Sequence, residues 1–444
     1  MARKSQGKDK GQSRAVPASR SSRFASMARL AGGVAGGMLA EGTRQLRAGK
    51  RPTSRDLLLT PGNARRVADQ LATMRGAAMK VGQILSMDTG DFLPRELTDI
   101  LARLRDDAKH MPHEQLHKAM AEAYGAEWES LFYGFDTTPI AAASIGQVHR
   151  TISPDGRDIV LKVQYPGVAD SIESDVDNIA SLLRLSGLLP DGMDISPLLK
   201  DAKEQLKDEA DYLKEAKYLQ DFRRKLGDDE RYVLPEVLPQ LTRRNVLAMT
   251  YVSGGPIDKL RDVPQAERDR VMTALFELML QEMFELRMMQ TDPNFANYLY
   301  RRDGGKIVLL DFGATRRFRA GFVNDYKKLA IAAIAGDEER LVAAAERLGY
   351  AMGEAGGDYR ALVMRFLSLV MEPMREDVAY DFAGSDMAAK MSVMTEDITR
   401  FRDAWRAPPM DAIYFHRKVG GMFMLASRLH ARVNVHRLLQ PYLA

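Results

Sequence analysis

The chain of 444 residues contains no cysteine. That absence removes disulfide frameworks, thiolate zinc sites, iron–sulfur clusters and cysteine nucleophiles, and it fits a reducing, cytoplasmic address. Long apolar runs are missing too. The first 23 residues are polar and basic with no apolar stretch behind them, so no secretory signal is expected. Residues 30–40 are apolar or glycine, well short of the roughly 20 residues that span a bilayer. Gly32 and Gly36, like Gly33 and Gly37, have the spacing that lets helices approach closely, so this stretch suits an interface rather than a span. Acidic residues are scarce only at the start. Residues 1–56 hold 13 Lys+Arg against 3 Asp+Glu, and the surplus of +10 exceeds the +4 of the whole chain. A basic arm on a mildly acidic body points to an anionic surface. Since no zinc finger, helix-turn-helix or aromatic–basic array is present, nucleic acid is not an expected partner.

What is present is ordinary for a globular protein of two or three domains, with 45% apolar and 28% charged residues. Residues 1–22 read as a disordered basic arm. Residues 24–108 carry apolar positions at three- and four-residue spacing, among them Val67, Leu71, Met74, Ala78, Val81 and Leu85, and so predict helices. From 128 to 163 the period changes to short strands around Ser153-Pro154-Asp155-Gly156, a hairpin turn. Helices are predicted over 169–226, then a strand pair over 232–235 and 246–252. The remainder is mostly helical apart from strands at 297–300 and 307–310 around the turn Asp303-Gly304-Gly305. The expected division is an arm at 1–22, a helical extension at 23–125, a β-rich lobe with inserted helices at 126–253 and a helical lobe at 254–444.

Four features carry chemistry, and their order is more specific than any one of them. Ala141-Ala142-Ala143-Ser144-Ile145-Gly146-Gln147-Val148 overlays a phosphate loop of the form G-x-G-x-x-G-x-V, with Ala141 and Ala143 in place of the first two glycines. Lys162 ends the apolar run Val160-Leu161, where a kinase places the lysine for the α- and β-phosphates. A lysine there is ordinarily a snorkelling surface residue. Asp292 and Asn297 are spaced as in the kinase catalytic loop H-R-D-x-x-x-x-N, and Asp311-Phe312-Gly313 follows an apolar strand. Phosphoryl transfer concentrates negative charge. It needs a cation on the phosphates and oxygen ligands for Mg²⁺, here Asn297 and Asp311, with Asp292 as a catalytic residue.

Together these motifs resemble the UbiB/AarF family of atypical kinases, which supports ubiquinone biosynthesis. Lys80-Val81-Gly82-Gln83 is similar to its K-x-G-Q motif, the alanine run to its alanine-rich loop, and Glu209-Ala210-Asp211 with Glu215-Ala216 to its E-x-D...E-A helix. The resemblance implies a bilobal, protein-kinase-like α+β fold with an N-terminal helical extension, and ATP with Mg²⁺ as cofactors. It implies that Lys80 and Gln83 lie across the active-site face, that Glu215 pairs with Lys162, and that Glu209 and Asp211 face Lys80. Met249, Tyr251 and Val252 fall where an interlobe hinge would hold the adenine. Gln290-Thr291-Asp292 replaces H-R-D, and no A-P-E follows, which argues against peptide substrates.

The expected activity is that of an ATP-dependent kinase or ATPase, peripheral to a membrane. The rivals are a nucleotide-gated lipid-binding or chaperone-like protein and a small-molecule phosphotransferase. Expected partners are an anionic membrane surface, lipid or quinone precursors and ubiquinone-biosynthesis enzymes, with a homodimer as a further expectation. His113 and His117 read as surface histidines, the methionines between 272 and 289 as core filling, and Arg417, Lys418, Arg428 and Arg432 as a solvated helix face.

Overall fold

The computed structural model describes residues 111–185, 195–350, 356–387, 389–390, 393 and 409–443, with isolated positions between 32 and 78. The basic arm and most of the helical extension, including Lys80 and Gln83, lie outside the described residues.

The first sheet has the order β1-β2-β3-β5, all antiparallel: Ala141–Ala142, Gly146–Ile152, Asp158–Gln164 and Val246–Thr250. Its hairpin turns at Ser153-Pro154-Asp155-Gly156, where Gly156 has φ +83°. Period-two alternation explains the two faces of β3. Ile159, Leu161 and Val163 pack with Leu116 and Met120 of α1 (His113–Tyr124) and with Trp128. Val160 and Lys162 point the other way, toward α4 (Tyr212–Leu226). Between β3 and α4 the chain forms α2 (Val168–Leu185) and α3 (Ser196–Glu209).

The strand pair expected at 232–235 and 246–252 does not form. β4 (Tyr232–Val233) joins a second sheet of order β4-β9-β8-β6, parallel to β9 (Lys306–Leu309). Pro235 lacks the N–H to continue a ladder, and only Val237 beyond it bridges back to Met249. In that sheet β8 (Tyr298–Arg301) pairs antiparallel with β9 through Gly304 and Gly305, both at positive φ, and β6 is Gly255–Pro256.

The second lobe is built on α5 (Gln265–Phe284), apolar around most of its circumference, which is what a central helix requires. Met272, Met279, Met283, Met288 and Met289 are fully buried. A two-stranded ribbon of β7 (Met288–Gln290) and β10 (Thr315–Arg317) follows. Against α5 pack α9 (Met410–Arg428) and α10 (Val435–Leu443); α6 (Ala320–Ala335) lies against α10 and α7 (Glu338–Leu348), and α8 (Gly356–Val370) follows. A short ribbon of β11 (Tyr380–Asp381) with β12 (Arg432–Val433) closes the lobe. One apolar cluster runs from α4 through α5 to α9, so both lobes share a core.

Two of the four C-terminal basic residues expected on a solvated helix face are buried, and Arg432 lies in β12, beyond the end of α9. The Arg417 and Lys418 side chains are each 2% exposed. Arg428 and Arg432 do reach solvent, paired with Asp258 and Asp381.

Two predictions follow from packing. A Cβ at Gly146 would sit 2.3 Å from the Val163 carbonyl oxygen and 3.0 Å from the Tyr212 hydroxyl. Gly146→Ala should therefore lower stability in urea by about 1–3 kcal/mol, whereas Gly321→Ala, which meets open space, should not. The second concerns His416, held between the hydroxyls of Tyr326 (2.9 Å) and Tyr350 (3.5 Å) and against Phe366. Burial lowers its pKa to about 4. The unfolded chain protonates this imidazole below about pH 6.5 while the folded one resists until about 4, so stability falls as pH drops through that window. His416→Gln should remove about 2 kcal/mol of the parent's loss between pH 7 and pH 5. Equal losses in parent and variant, measured by urea unfolding at both pH values, would show that the ring is not held neutral.

Candidate active site

Between the lobes lies a cleft of about 540 Å³. Its roof is the alanine loop, its floor the segments carrying Asp292, Asn297 and Asp311, and its back wall Met249, Tyr251 and Val252. Each of these was singled out in the sequence. Ala141 and Ala142 are exposed strand residues; the Ala143 N–H donates to the Gly146 carbonyl (2.9 Å), closing the turn. Ser144 Oγ donates to Glu209 Oε2 at 3.5 Å. Val148 stands opposite Lys162 in the β2–β3 register.

At the centre, Lys162 Nζ donates to both carboxylate oxygens of Glu215 at 2.9 Å and to Asp311 Oδ2 at 3.2 Å. The Lys162 and Glu215 side chains are 9% and 2% exposed. α4 delivers Glu215 because Asp211 caps its first turn, accepting from the Leu213 N–H at 3.1 Å. Three basic residues in the last turn complement the helix dipole. Glu209 and Asp211 therefore straddle a break between two helices instead of sharing one: Glu209 ends α3 and Asp211 begins α4, 3.8 Å from Arg244. The side chain of Asx caps is what interrupts the helix. Whether either faces Lys80 falls outside the described residues.

Burial alone would lower the Lys162 ammonium, but Asp311 and Glu215 outweigh it and hold the pKa well above the ordinary lysine value. Burial pushes Glu215 up to about 7 against the opposing pull of Lys162. One ammonium shared between two carboxylates leaves a negative charge uncompensated, and the deeper carboxylate bears most of the desolvation cost.

The floor is assembled by backbone stitching. Thr291 N–H and Oγ both donate to the Ala314 carbonyl (3.2 and 2.7 Å), and the Leu310 N–H donates to the Asn297 carbonyl (3.0 Å). Asn297 Nδ2 donates to Asp292 Oδ2 at 3.0 Å, so the amide oxygen is the atom a cation would take. Asp311 Oδ1 accepts from the Gly313 N–H at 2.9 Å. Asn297 and Asp311 offer hard oxygen atoms beside an excess of negative charge, a donor set that could hold Mg²⁺. Among the described residues no cluster of three His, Cys, Asp or Glu could hold a metal. Two protein ligands are sufficient for an ion that keeps waters and takes phosphate oxygens.

Sequence reasoning missed the support behind this floor. Arg417 Nη2 lies 3.4 Å from Asp292 Oδ1. Lys418 Nζ donates to the Gln290 carbonyl (2.9 Å) and the Tyr298 hydroxyl (2.8 Å) and lies 3.3 Å from Glu282. Gly421 meets Pro293 so closely that a Cβ would stand 2.3 Å from it. Positions 414, 417, 418 and 421 form one i, i+3, i+4, i+7 stripe. The available signal was the apolar company of the two cations, Tyr414, Phe415, Val419 and Met422, all buried.

The sequence matches the ABC1 atypical kinase-like domain over residues 103–345. It is 37% identical over 437 residues to the atypical kinase COQ8, mitochondrial, of Saccharomyces cerevisiae, covering 98% of this chain and 87% of that one. Against the atypical kinase COQ8B, mitochondrial, of Rattus norvegicus it is 36% identical over 434 residues, covering 97% and 82%. Among solved structures, Rv3197 of Mycobacterium tuberculosis, determined with erythromycin, is similar with a TM-score of 0.59 at 25% identity, covering 85% of this chain and 95% of that one. A domain match over more than half of the sequence, relatives aligned along nearly all of it, and a kinase-like α+β fold agree: the chain belongs to the UbiB/AarF family of ABC1 atypical kinases.

Proposed function

We propose that the cleft binds Mg–ATP and hydrolyses it or transfers its γ-phosphate, and that this activity supports ubiquinone biosynthesis at a membrane surface. The observation that carries the reading is the buried Lys162 ammonium, bonded to Glu215 and Asp311 beneath the alanine loop. A buried cation beside a carboxylate surplus is a place for phosphate oxygens and a divalent ion together.

In this reading Lys162 holds the α- and β-phosphates while Glu215 keeps its side chain extended across the cleft. Asn297 and Asp311 hold Mg²⁺, which when bound neutralises phosphate charge. Asp292, with one oxygen taken by Asn297 and the other near Arg417, is oriented to accept a proton from a hydroxyl or water. The backbone of Met249, Tyr251 and Val252 receives the adenine, and the alanine methyls limit how closely the loop approaches the phosphates. The K-x-G-Q motif at Lys80 and Gln83, like the missing A-P-E, argues against a peptide acceptor.

Among the described residues no helix is long and apolar enough to cross a membrane. We assign membrane contact to the basic arm, through charge attraction of roughly 1 kcal/mol per well-placed Lys or Arg, and the acceptors to quinone-precursor lipids or the enzymes acting on them.

Lys162→Ala and Asp311→Asn should each abolish Mg-dependent nucleotide binding and turnover, one removing the phosphate cation and the other weakening a metal ligand. Unchanged Mg–ATP affinity by calorimetry in both folded variants would defeat the reading. A purely binding role with incidental turnover predicts instead that Asp311→Asn loses ATPase activity yet still complements a strain lacking the protein. Separately, deletion of residues 1–50 should abolish co-sedimentation with anionic vesicles and leave nucleotide affinity intact, and in the full chain binding should weaken as salt rises. Vesicle binding that is salt-insensitive, or retained by the truncated chain, would remove the arm from this role.

A further inference from the structure

The strand immediately after Asp311-Phe312-Gly313 holds two arginines with divided duties. Arg316 is the anchor. Its Nε lies 2.9 Å from Asp411 at the start of α9, its Nη1 3.3 Å from Asp201 of α3, and its guanidinium 4.4 Å from the centre of the Tyr414 ring. β10 is also paired with β7, which leads into Asp292. The strand is thus fixed from three sides. Arg317, the next residue, points to α4: its Nη2 lies 2.8 Å from Asp221 Oδ2, and its guanidinium 5.8 Å from the Tyr218 ring.

Asp221 is six residues beyond Glu215 on the same helix. The next residue, Phe222, makes a second tie from α4 to the floor, against Phe312, with ring centres 4.8 Å apart. α4 is therefore gripped at its first turn by Lys162 and Asp211's cap, and in its later turns by Phe312 and Arg317. Glu215 reaches Lys162 from the first turn, so its place on the ammonium follows the seating of the whole helix, to which the later contacts contribute.

We infer that Arg317 is a positioning residue of this site: through Asp221 it holds α4 against Phe312, and so keeps Glu215 on Lys162 and Lys162 on Asp311. The inference rests on the nucleotide-binding reading of the cleft. It goes beyond that reading by assigning assembly of the lysine–carboxylate triad to an ion pair outside the cleft. The alternative is an ordinary surface pair. Arg317 is 55% exposed, and such pairs contribute little to stability. Activity and stability therefore separate the two: an ordinary pair would leave both nearly unchanged, whereas a latch would move turnover far more than melting temperature.

The test uses the full chain, with Mg–ATP turnover and hydrogen exchange of the α4 amides measured side by side. Arg317→Met should lower kcat by about tenfold while KM for ATP changes by less than about threefold, because a misplaced triad costs orientation more than binding. Exchange in α4 should rise, and exchange in α5 should not. Arg317→Lys, which keeps the charge, should restore most of the activity. Asp221→Asn should reproduce the loss, and Arg317→Met in that background should add nothing further. Arg340→Met, an exposed arginine of α7, serves as the unaffected control. Unaltered kcat and α4 exchange in Arg317→Met overturn the inference. Absence of nucleotide binding in the parent overturns the functional reading instead, and the exchange of α4 in Arg317→Met still decides whether the latch exists.

Discussion

An ammonium group deep in the cleft, shared by Glu215 of the first lobe and Asp311 of the second, is the constraint on which the rest depends. Desolvating Lys162 and Glu215 is costly, and their attraction offsets that cost only with close geometry and further hydrogen bonds. Losing one member of such a pair is destabilising by about 3–5 kcal/mol because the survivor is left charged and buried. The fold therefore has to deliver both groups accurately. β3 does so for Lys162 by alternation, and α4 does so for Glu215 through a cap, a dipole-complementing last turn and a phenylalanine contact.

The same constraint explains the floor of the cleft. Gln290-Thr291 stands where a protein kinase has histidine and arginine, so the loop before Asp292 brings no cation of its own. α9 supplies two from more than a hundred residues downstream: Arg417 beside Asp292 and Lys418 on the Gln290 carbonyl. Thr291 meanwhile spends its N–H and hydroxyl on Ala314, tying the loop to the segment after Asp311. A loop held by a distant helix is rigid only when the whole second lobe is folded. That makes the site cooperative with the core running through α5 and α9.

Much of this was legible in the sequence, for reasons that differ by residue. The β2–β3 hairpin and the β8–β9 hairpin announced themselves through Pro-Asp-Gly and Asp-Gly-Gly turns between apolar runs. That Lys162, Asp292, Asn297 and Asp311 would meet in one cleft was readable from their kinase-like order along the chain. β4 was assigned the wrong partner, since local pattern marks a strand without naming its neighbour, and the parallel contact with β9 spans about seventy residues of sequence. The break at Ala210 was hidden because Glu209 and Asp211 suit a helix interior by charge, while the cap that separates them depends on the geometry at Leu213. Arg417 and Lys418 look like a solvated pair until their anionic partners, Asp292 and Glu282, are brought over them by the fold. Charged residues are read as exposed because isolated burial is prohibitive, and only the tertiary structure reveals that neither is isolated.

The distribution of charge also bears on what the cleft can accommodate. Lys162 is matched against two carboxylates and Arg417 against Asp292, so the local balance is negative before any ligand enters. A polyanion such as ATP would be repelled by that surplus if it came alone, and among the described residues a divalent cation would meet no cluster of three acidic or histidine ligands with which to stay by itself. On the proposed reading the two would fit only together: the cation would answer the carboxylates, and the phosphates would complete its coordination. Joint entry would then give the site a preference for the metal–nucleotide complex over either component. Such selectivity would arise from the electrostatics of a few buried groups, with no need for a glycine loop that wraps the phosphates closely.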